Sequence, residues 1–225
     1  MFGGRVGVDV VPFSRVRRLL APEARPALLR MLSGAEAGRY CAERPDVPGI
    51  AGRLAAKEAV FKLFQATEVP LPWRSIEVLN GAGGWPEVRL GGRAAALAER
   101  AGVGHVEVSI AHDDPCAVAV ALGAGPARTP RKQLTIQERK FRQGGSMSSG
   151  GIDDVRKWIL GRNPDRDSLS ADENLIESRL VDSLSFVELV YAIEGAGGIE
   201  IDLDAIDLQD FRTLAAIEKA FFTAA

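Results

Sequence analysis

The hydrophobic pattern is densest between Gly52 and Phe64, Gly-Arg-Leu-Ala-Ala-Lys-Glu-Ala-Val-Phe-Lys-Leu-Phe. Ala, Leu, Lys and Glu favour the helix, and no Pro interrupts the run. Around a helical wheel nearly every position is apolar: Leu54, Ala55, Ala56, Ala59, Val60, Phe61, Leu63 and Phe64. The exceptions fall in two i,i+4 pairs, Glu58 with Lys62 and Arg53 with Lys57. A helix apolar on nearly all sides is predicted to be buried. Its charges must then be paired, bound to a ligand or turned into a wet cleft. A Glu58–Lys62 salt bridge and a working site are both open on this evidence.

The flanking patterns are shorter. Arg5 to Val11 is a β-branched run and predicts a strand, interrupted by Asp9 and ended by Pro12. A carboxylate in an apolar strand fits an edge position, or a metal ligand on a rigid element. Arg15, Arg17 and Arg18 follow on a predicted helix as a basic patch. Ser33 to Glu36 has capping-box spacing and starts a short helix through Tyr40. Pro45, Pro48 and Gly49 predict a loop. Ile76–Leu79 and Glu87–Leu90 predict a hairpin around Asn80-Gly-Ala-Gly-Gly-Trp-Pro86. These glycines match neither phosphate-loop nor dinucleotide spacing. A helix is predicted over 94–101, then strands over 105–110 and 116–122. His112 falls in the predicted loop between them, as a working residue or a plain turn histidine.

After residue 123 the pattern fades, then returns as helices only. Ile152, Val155 and Ile159 mark one amphipathic helix. Asp182 is a candidate N-cap for a second helix, which stops at Gly195 and Gly197. A short element near Leu203–Leu208 precedes a last helix with Leu214, Ile217 and Phe221 inward. This is a four-helix pattern. Asp202, Asp204, Asp207 and Asp210 lack the spacing and central Gly of a calcium loop and predict a solvated acidic face.

Length and charge sharpen the division. At 225 residues two small domains are expected. Residues 1–146 carry a net charge of +7 and residues 147–225 a net of −9, so the halves should attract each other. The basic half has few aromatic residues and most of its positive charge only balances acids, which argues against nucleic acid. Cys41 and Cys116 form no ligand cluster and fit a reducing, cytoplasmic compartment. No signal peptide or membrane-length apolar run is present. Residues 124–150, rich in Gly, Pro, Ser, Gln, Lys and Arg, predict a disordered linker. Its internal Met147 fits the start of a once-separate protein, joined by natural or engineered fusion.

Five pieces of the basic half, in order, carry a resemblance. They are Gly7-Val-Asp9 with Arg15, Ser33 through Tyr40-Cys41, the helix Gly52 to Lys62, Trp73 to Asn80, and Val108-Ser-Ile-Ala-His112. Residues 5–122 resemble a holo-acyl-carrier-protein synthase, the small trimeric type of 4′-phosphopantetheinyl transferase. The acidic half resembles an acyl or aminoacyl carrier protein, with Asp182-Ser183-Leu184 at its attachment motif. A helix N-terminus also favours the phosphodiester that such a serine would carry.

The resemblance implies an α+β fold: a transferase-like domain over 1–123, with an antiparallel sheet packed on helices, a linker over 124–150, and an all-α four-helix carrier over 151–225. It implies transfer of 4′-phosphopantetheine from coenzyme A to Ser183 with Mg2+. By resemblance Asp9 and Glu58 hold the metal and, with Lys62, form the catalytic set. Lys62, Arg53 and His112 are candidates for the coenzyme phosphates, and Arg15 for docking a carrier in cis or from a neighbouring subunit of a homotrimer. The chain departs from the family's usual pattern at Trp85, Ala111 and Pro12. Trp85 and Ala111 would support a second reading, a carrier or scaffold protein whose basic half binds coenzyme A or the carrier without transfer.

Overall fold

A computed structural model describes residues 4–125, 151–203 and 205–223. Most of the expected linker, with Met147, and also Asp204 lie outside the described residues. The described chain divides into two compact units, one of residues 4–67 and 71–125 and one of residues 68–70, 151–203 and 205–223.

In the first unit, β1 (Arg5–Pro12) is followed by α1 (Phe13–Leu19), α2 (Arg25–Met31), α3 (Gly34–Tyr40) and α4 (Val47–Phe64). A hairpin of β2 (Ile76–Asn80) and β3 (Pro86–Leu90) leads to α5 (Gly92–Ala101), β4 (His105–Asp113) and β5 (Cys116–Ala124). The last two strands join β1 in an antiparallel sheet of order β1-β5-β4.

Helix α4 packs on one face of this sheet, as its nearly uniform apolar surface requires. The facing positions are small: Gly7, Ala117, Ala119, Ala121 and Gly123. A Cβ on Gly7 would lie 2.0 Å from the Ala59 carbonyl oxygen, so only glycine permits this approach. A Cβ on Gly52 would meet Ile110 at 2.8 Å.

Two of the boundaries that differ from expectation bear on the site. Helix α4 starts at Val47, five residues before Gly52, because Asp46 caps it through the Gly49 amide at 2.9 Å. Pro48 sits in the first turn, where a missing amide hydrogen costs nothing. Strand β4 runs through Asp113, so His112 is a strand residue paired with Ala117 and not a loop residue. Only Asp114 and Pro115 are left for the turn, and the ladder therefore continues up to it.

The second unit contains α6 (Gly151–Arg162), α7 (Ser183–Gly197) and α8 (Leu214–Phe221). Its core gathers Val155 and Ile159 from α6, Leu189, Val190 and Ile193 from α7, and Leu214 and Ile217 from α8. Arg162 of α6 pairs with Glu188 of α7. The third helical place holds only a one-turn 3-10 helix, Leu208–Phe211. Phe211 anchors that turn in the core, 5.2 Å from the Phe186 ring and 4.9 Å from Phe221. The basic unit and the helical unit together make an α+β chain.

Candidate active site and carrier serine

Alternation along β1 turns Asp9 towards α4 while Val8 and Val10 face outwards. Lys62, in the last turn of α4, reaches across to it. Its ammonium lies 2.8 Å from Asp9 Oδ1 and donates to the Val8 carbonyl at 2.6 Å. Lys62 thus pairs with a residue 53 positions away, which its i,i+4 spacing from Glu58 does not indicate. Glu58, one turn before Lys62, shares this side of the helix and is half-buried.

His112 lies on the same sheet face as Asp9, since Ile110 and Asp9 both pair with Ala119 and His112 is two residues further on. It is exposed. Arg15 is half-buried on α1, with Arg17 and Arg18 exposed beside it.

Arg53 is not brought to this cluster. Nine residues before Lys62, it projects from the opposite side of α4, about 180° around at 3.6 residues per turn. It is buried, its guanidinium bonded to Asn80 Oδ1 and lying 4.4 Å from the Tyr40 ring centre. Burial pushes its pKa down, opposed by Tyr40 and Glu36.

Lys57 was legible only as a helix charge. In the structure it is fully buried, 2.6 Å from Glu36 Oε2, and donates to the carbonyls of Met31 at 2.8 Å and Trp73 at 2.7 Å. Glu36 accepts in turn from the amides of Ser33 at 2.6 Å and Val78 at 2.8 Å. Desolvation pushes the Lys57 pKa down and Glu36 opposes it. The capping box made Glu36 visible in the sequence, and the apolar wheel implied that Lys57 needs a partner. Nothing local connects the two.

Ser183, the candidate attachment serine, stands at the first position of α7. Asp182 caps the helix through the Ser185 amide at 2.8 Å, and Ser185 Oγ accepts from the Asp182 amide at 2.8 Å. The Ser178 hydroxyl donates to the Asn174 carbonyl at 2.6 Å. Ser178 and Ser185 are therefore engaged in local turns, and Ser183 sits where an anion gains from the helix dipole.

Among the described residues no group of three or more His, Cys, Asp or Glu side chains is disposed to hold a metal ion. A cation here would rest on two carboxylates and on oxygens from water or ligand. Asp9 and Glu58 fit a hard cation of that habit: both offer oxygen only, and they stand on a strand and a helix locked together at Gly7.

Comparison with known proteins divides the chain in the same way. Residues 5–121 match the 4′-phosphopantetheinyl transferase superfamily, and residues 159–221 match the phosphopantetheine attachment site family. The holo-[acyl-carrier-protein] synthase of Desulforudis audaxviator is 38% identical over 127 residues, covering 56% of this chain and 97% of that protein. The synthase of Chlorobaculum parvum is 40% identical over 119 residues, covering 52% and 95%. A solved ACPS–CoA complex from Chronobacterium ammoniagenes is 29% identical, with a TM-score of 0.47, covering 55% of this chain and 98% of that one. With Asp9, Glu58 and Lys62 gathered between β1 and α4 in the matched region, and Ser183 at the first position of α7 in the second, the chain belongs to the 4′-phosphopantetheinyl transferase superfamily and carries a phosphopantetheine-attachment domain behind it.

Proposed function

We propose that this chain is a holo-acyl-carrier-protein synthase joined to its own carrier, with the transferase over 1–123, a linker over 124–150 and the carrier over 151–225. It moves 4′-phosphopantetheine from coenzyme A to the Ser183 hydroxyl. The Ser183 oxygen forms a bond to the pantetheine-side phosphorus, the pyrophosphate bridge breaks, and adenosine 3′,5′-bisphosphate leaves. The observation that carries this reading is the meeting of Asp9 and Lys62 at 2.8 Å, on the side of α4 that also bears Glu58, in one chain with a serine at a helix N-terminus.

Phosphoryl transfer needs positioning and neutralised charge more than covalent help from the protein. Asp9 and Glu58 would hold Mg2+, which when bound offsets the pyrophosphate charge. Lys62 supplies the nearest mobile cation for the phosphates, and His112 on the same sheet face is a second contact. Glu58, or a water it orients, accepts the Ser183 proton. Arg15 and its neighbours on α1 receive the acidic carrier, in cis or from a neighbouring subunit. Free Cys41 and Cys116 suit a cytoplasmic setting.

The test is mass spectrometry of the full chain incubated with coenzyme A and Mg2+. The phosphopantetheinyl mass should appear on Ser183 alone and vanish in Ser183→Ala. Rising salt and Arg15→Glu should slow transfer between separate chains, since exposed charges are screened beyond about 10 Å at 0.1 M salt. Modification at Ser178 or Ser185 would overturn the attachment assignment, and no transfer would leave the scaffold reading.

The outer sheet face supports self-association. Val6, Val8, Val10 and Leu122 lie on it and are 62%, 47%, 52% and 52% exposed. Such a contiguous apolar patch on a small domain marks an interface. Copies of the chain covering it would form the homotrimer expected from the resembled synthases. Light scattering should find three chains per particle, and Val8→Lys should yield monomers. A monomeric wild type would exclude this assembly.

A further inference from the structure

We propose that Lys62 competes with the divalent cation for Asp9 and that its displacement delivers the ammonium to the coenzyme's phosphates, so that cation and coenzyme bind cooperatively. This rests on the reading of Asp9 and Glu58 as the cation's carboxylates.

The geometry sets two occupants against one oxygen. The Lys62 ammonium already takes Asp9 Oδ1 at 2.8 Å and the Val8 carbonyl at 2.6 Å. A Mg2+ ion binds carboxylate oxygen at roughly 2.0–2.1 Å. An ammonium held on the same carboxylate would stand beside the ion with like charge, so each weakens the other.

The two partners differ in freedom. The Asp9 side chain is 15% exposed on a paired strand, whereas that of Lys62 is 50% exposed at the end of a long stem. Only the lysine can give way. Its root is fixed, because a Cβ on Gly7 would lie 3.3 Å from the Lys62 Cβ and 2.0 Å from the Ala59 carbonyl oxygen. The stem therefore starts against β1, and a change of rotamer carries the charge off Asp9 and outwards to the edge of the site, since the side chain is half exposed. A phosphate arriving there pairs with the released ammonium. By linkage, whatever draws Lys62 away from Asp9 tightens the cation, and the cation tightens the phosphate ligand by the same factor.

The experiment titrates Mn2+ into the full chain without coenzyme, followed by electron paramagnetic resonance. Lys62→Met should bind Mn2+ at least about fivefold more tightly than wild type, the lower range of ordinary coupling. Lys62→Arg, which keeps the charge, should stay near wild type, and Asp9→Asn should abolish the difference. In a Ser183→Ala background, where coenzyme A is not consumed, coenzyme A should tighten Mn2+ more with Lys62 present than in Lys62→Met. Equal or weaker Mn2+ binding by Lys62→Met, with binding still lost in Asp9→Asn, overturns the competition and leaves the carboxylate assignment standing. Absence of Mn2+ binding in both wild type and Lys62→Met overturns both.

Discussion

Replacing either carboxylate by its amide, Asp9→Asn or Glu58→Gln, is expected to lower the rate of transfer to Ser183 by about 10²–10³-fold. That is the usual cost of removing one preorganised electrostatic contact from a reacting centre. Each substitution keeps the size of the side chain and removes a negative charge. Asp9 lies on a strand paired along its length with β5, and Glu58 is half-buried on α4. The ladder and the packing at Gly7 do not depend on either charge, so circular dichroism and the thermal transition should change little. Loss of rate with an intact fold identifies a chemical role. Transfer at the wild-type rate by either variant, assayed with Mg2+ and coenzyme A, would remove that residue from the site. Part of the loss should return at high Mg2+ concentration if the missing oxygen was a metal ligand and not the proton acceptor, and this separates the two roles open to Glu58.

The second large effect is on stability. Lys57→Met should destabilise the transferase unit by about 3–5 kcal/mol, the range for removing one partner of a buried ion pair. The substitution keeps the apolar stem and removes the ammonium. Glu36 is then left charged at zero exposure, and the carbonyls of Met31 and Trp73 lose a donor. Adding Glu36→Gln to Lys57→Met should recover part of the loss, because the stranded charge goes with it. Recovery will be incomplete, since Glu36 also accepts from Ser33 and Val78. Urea unfolding of the single and double variants gives the coupling directly. A loss under about 1 kcal/mol for Lys57→Met would mean that the ammonium is not desolvated as the structure has it.

These two lysines, five residues apart, show where sequence reasoning reached and where it stopped. Both stood out as charges on an apolar helix. One ends in the core on Glu36, the other half-exposed on Asp9. Their i,i+4 spacing pointed to Arg53 and Glu58 as neighbours. Arg53 is a cation and cannot pair with Lys57, and Lys62 reaches Asp9 on the facing strand, 53 residues away. Arg53 looked like a phosphate contact only through resemblance. Packing turned it to the far side of α4, where Tyr40 and Asn80 close over it.

What the sequence by itself determined is what a few neighbouring residues decide. Capping at Ser33 and Asp182 depends on side chains reaching amides three residues away, and both capping boxes form. The apolar wheel of α4, the β-branched run at 5–11 and the glycine-rich hairpin each carry their own periodicity or turn chemistry. So does the alternation that puts Asp9 opposite Val8 and Val10. Ser183 was singled out by resemblance, through Asp182-Ser183-Leu184; the local pattern alone marked only a helix start at Asp182. Tertiary structure decided the rest. It extended β4 through His112, because a partner strand continued the ladder. It set the short third carrier element at Leu208–Phe211, where Phe211 is held between Phe186 and Phe221. It chose the partners of Lys57 and Lys62 at separations of 21 and 53 residues. Local hydrogen bonds and periodicity operate within a turn or two of chain, while the choice of a buried charge's partner waits for the packing that brings distant segments together.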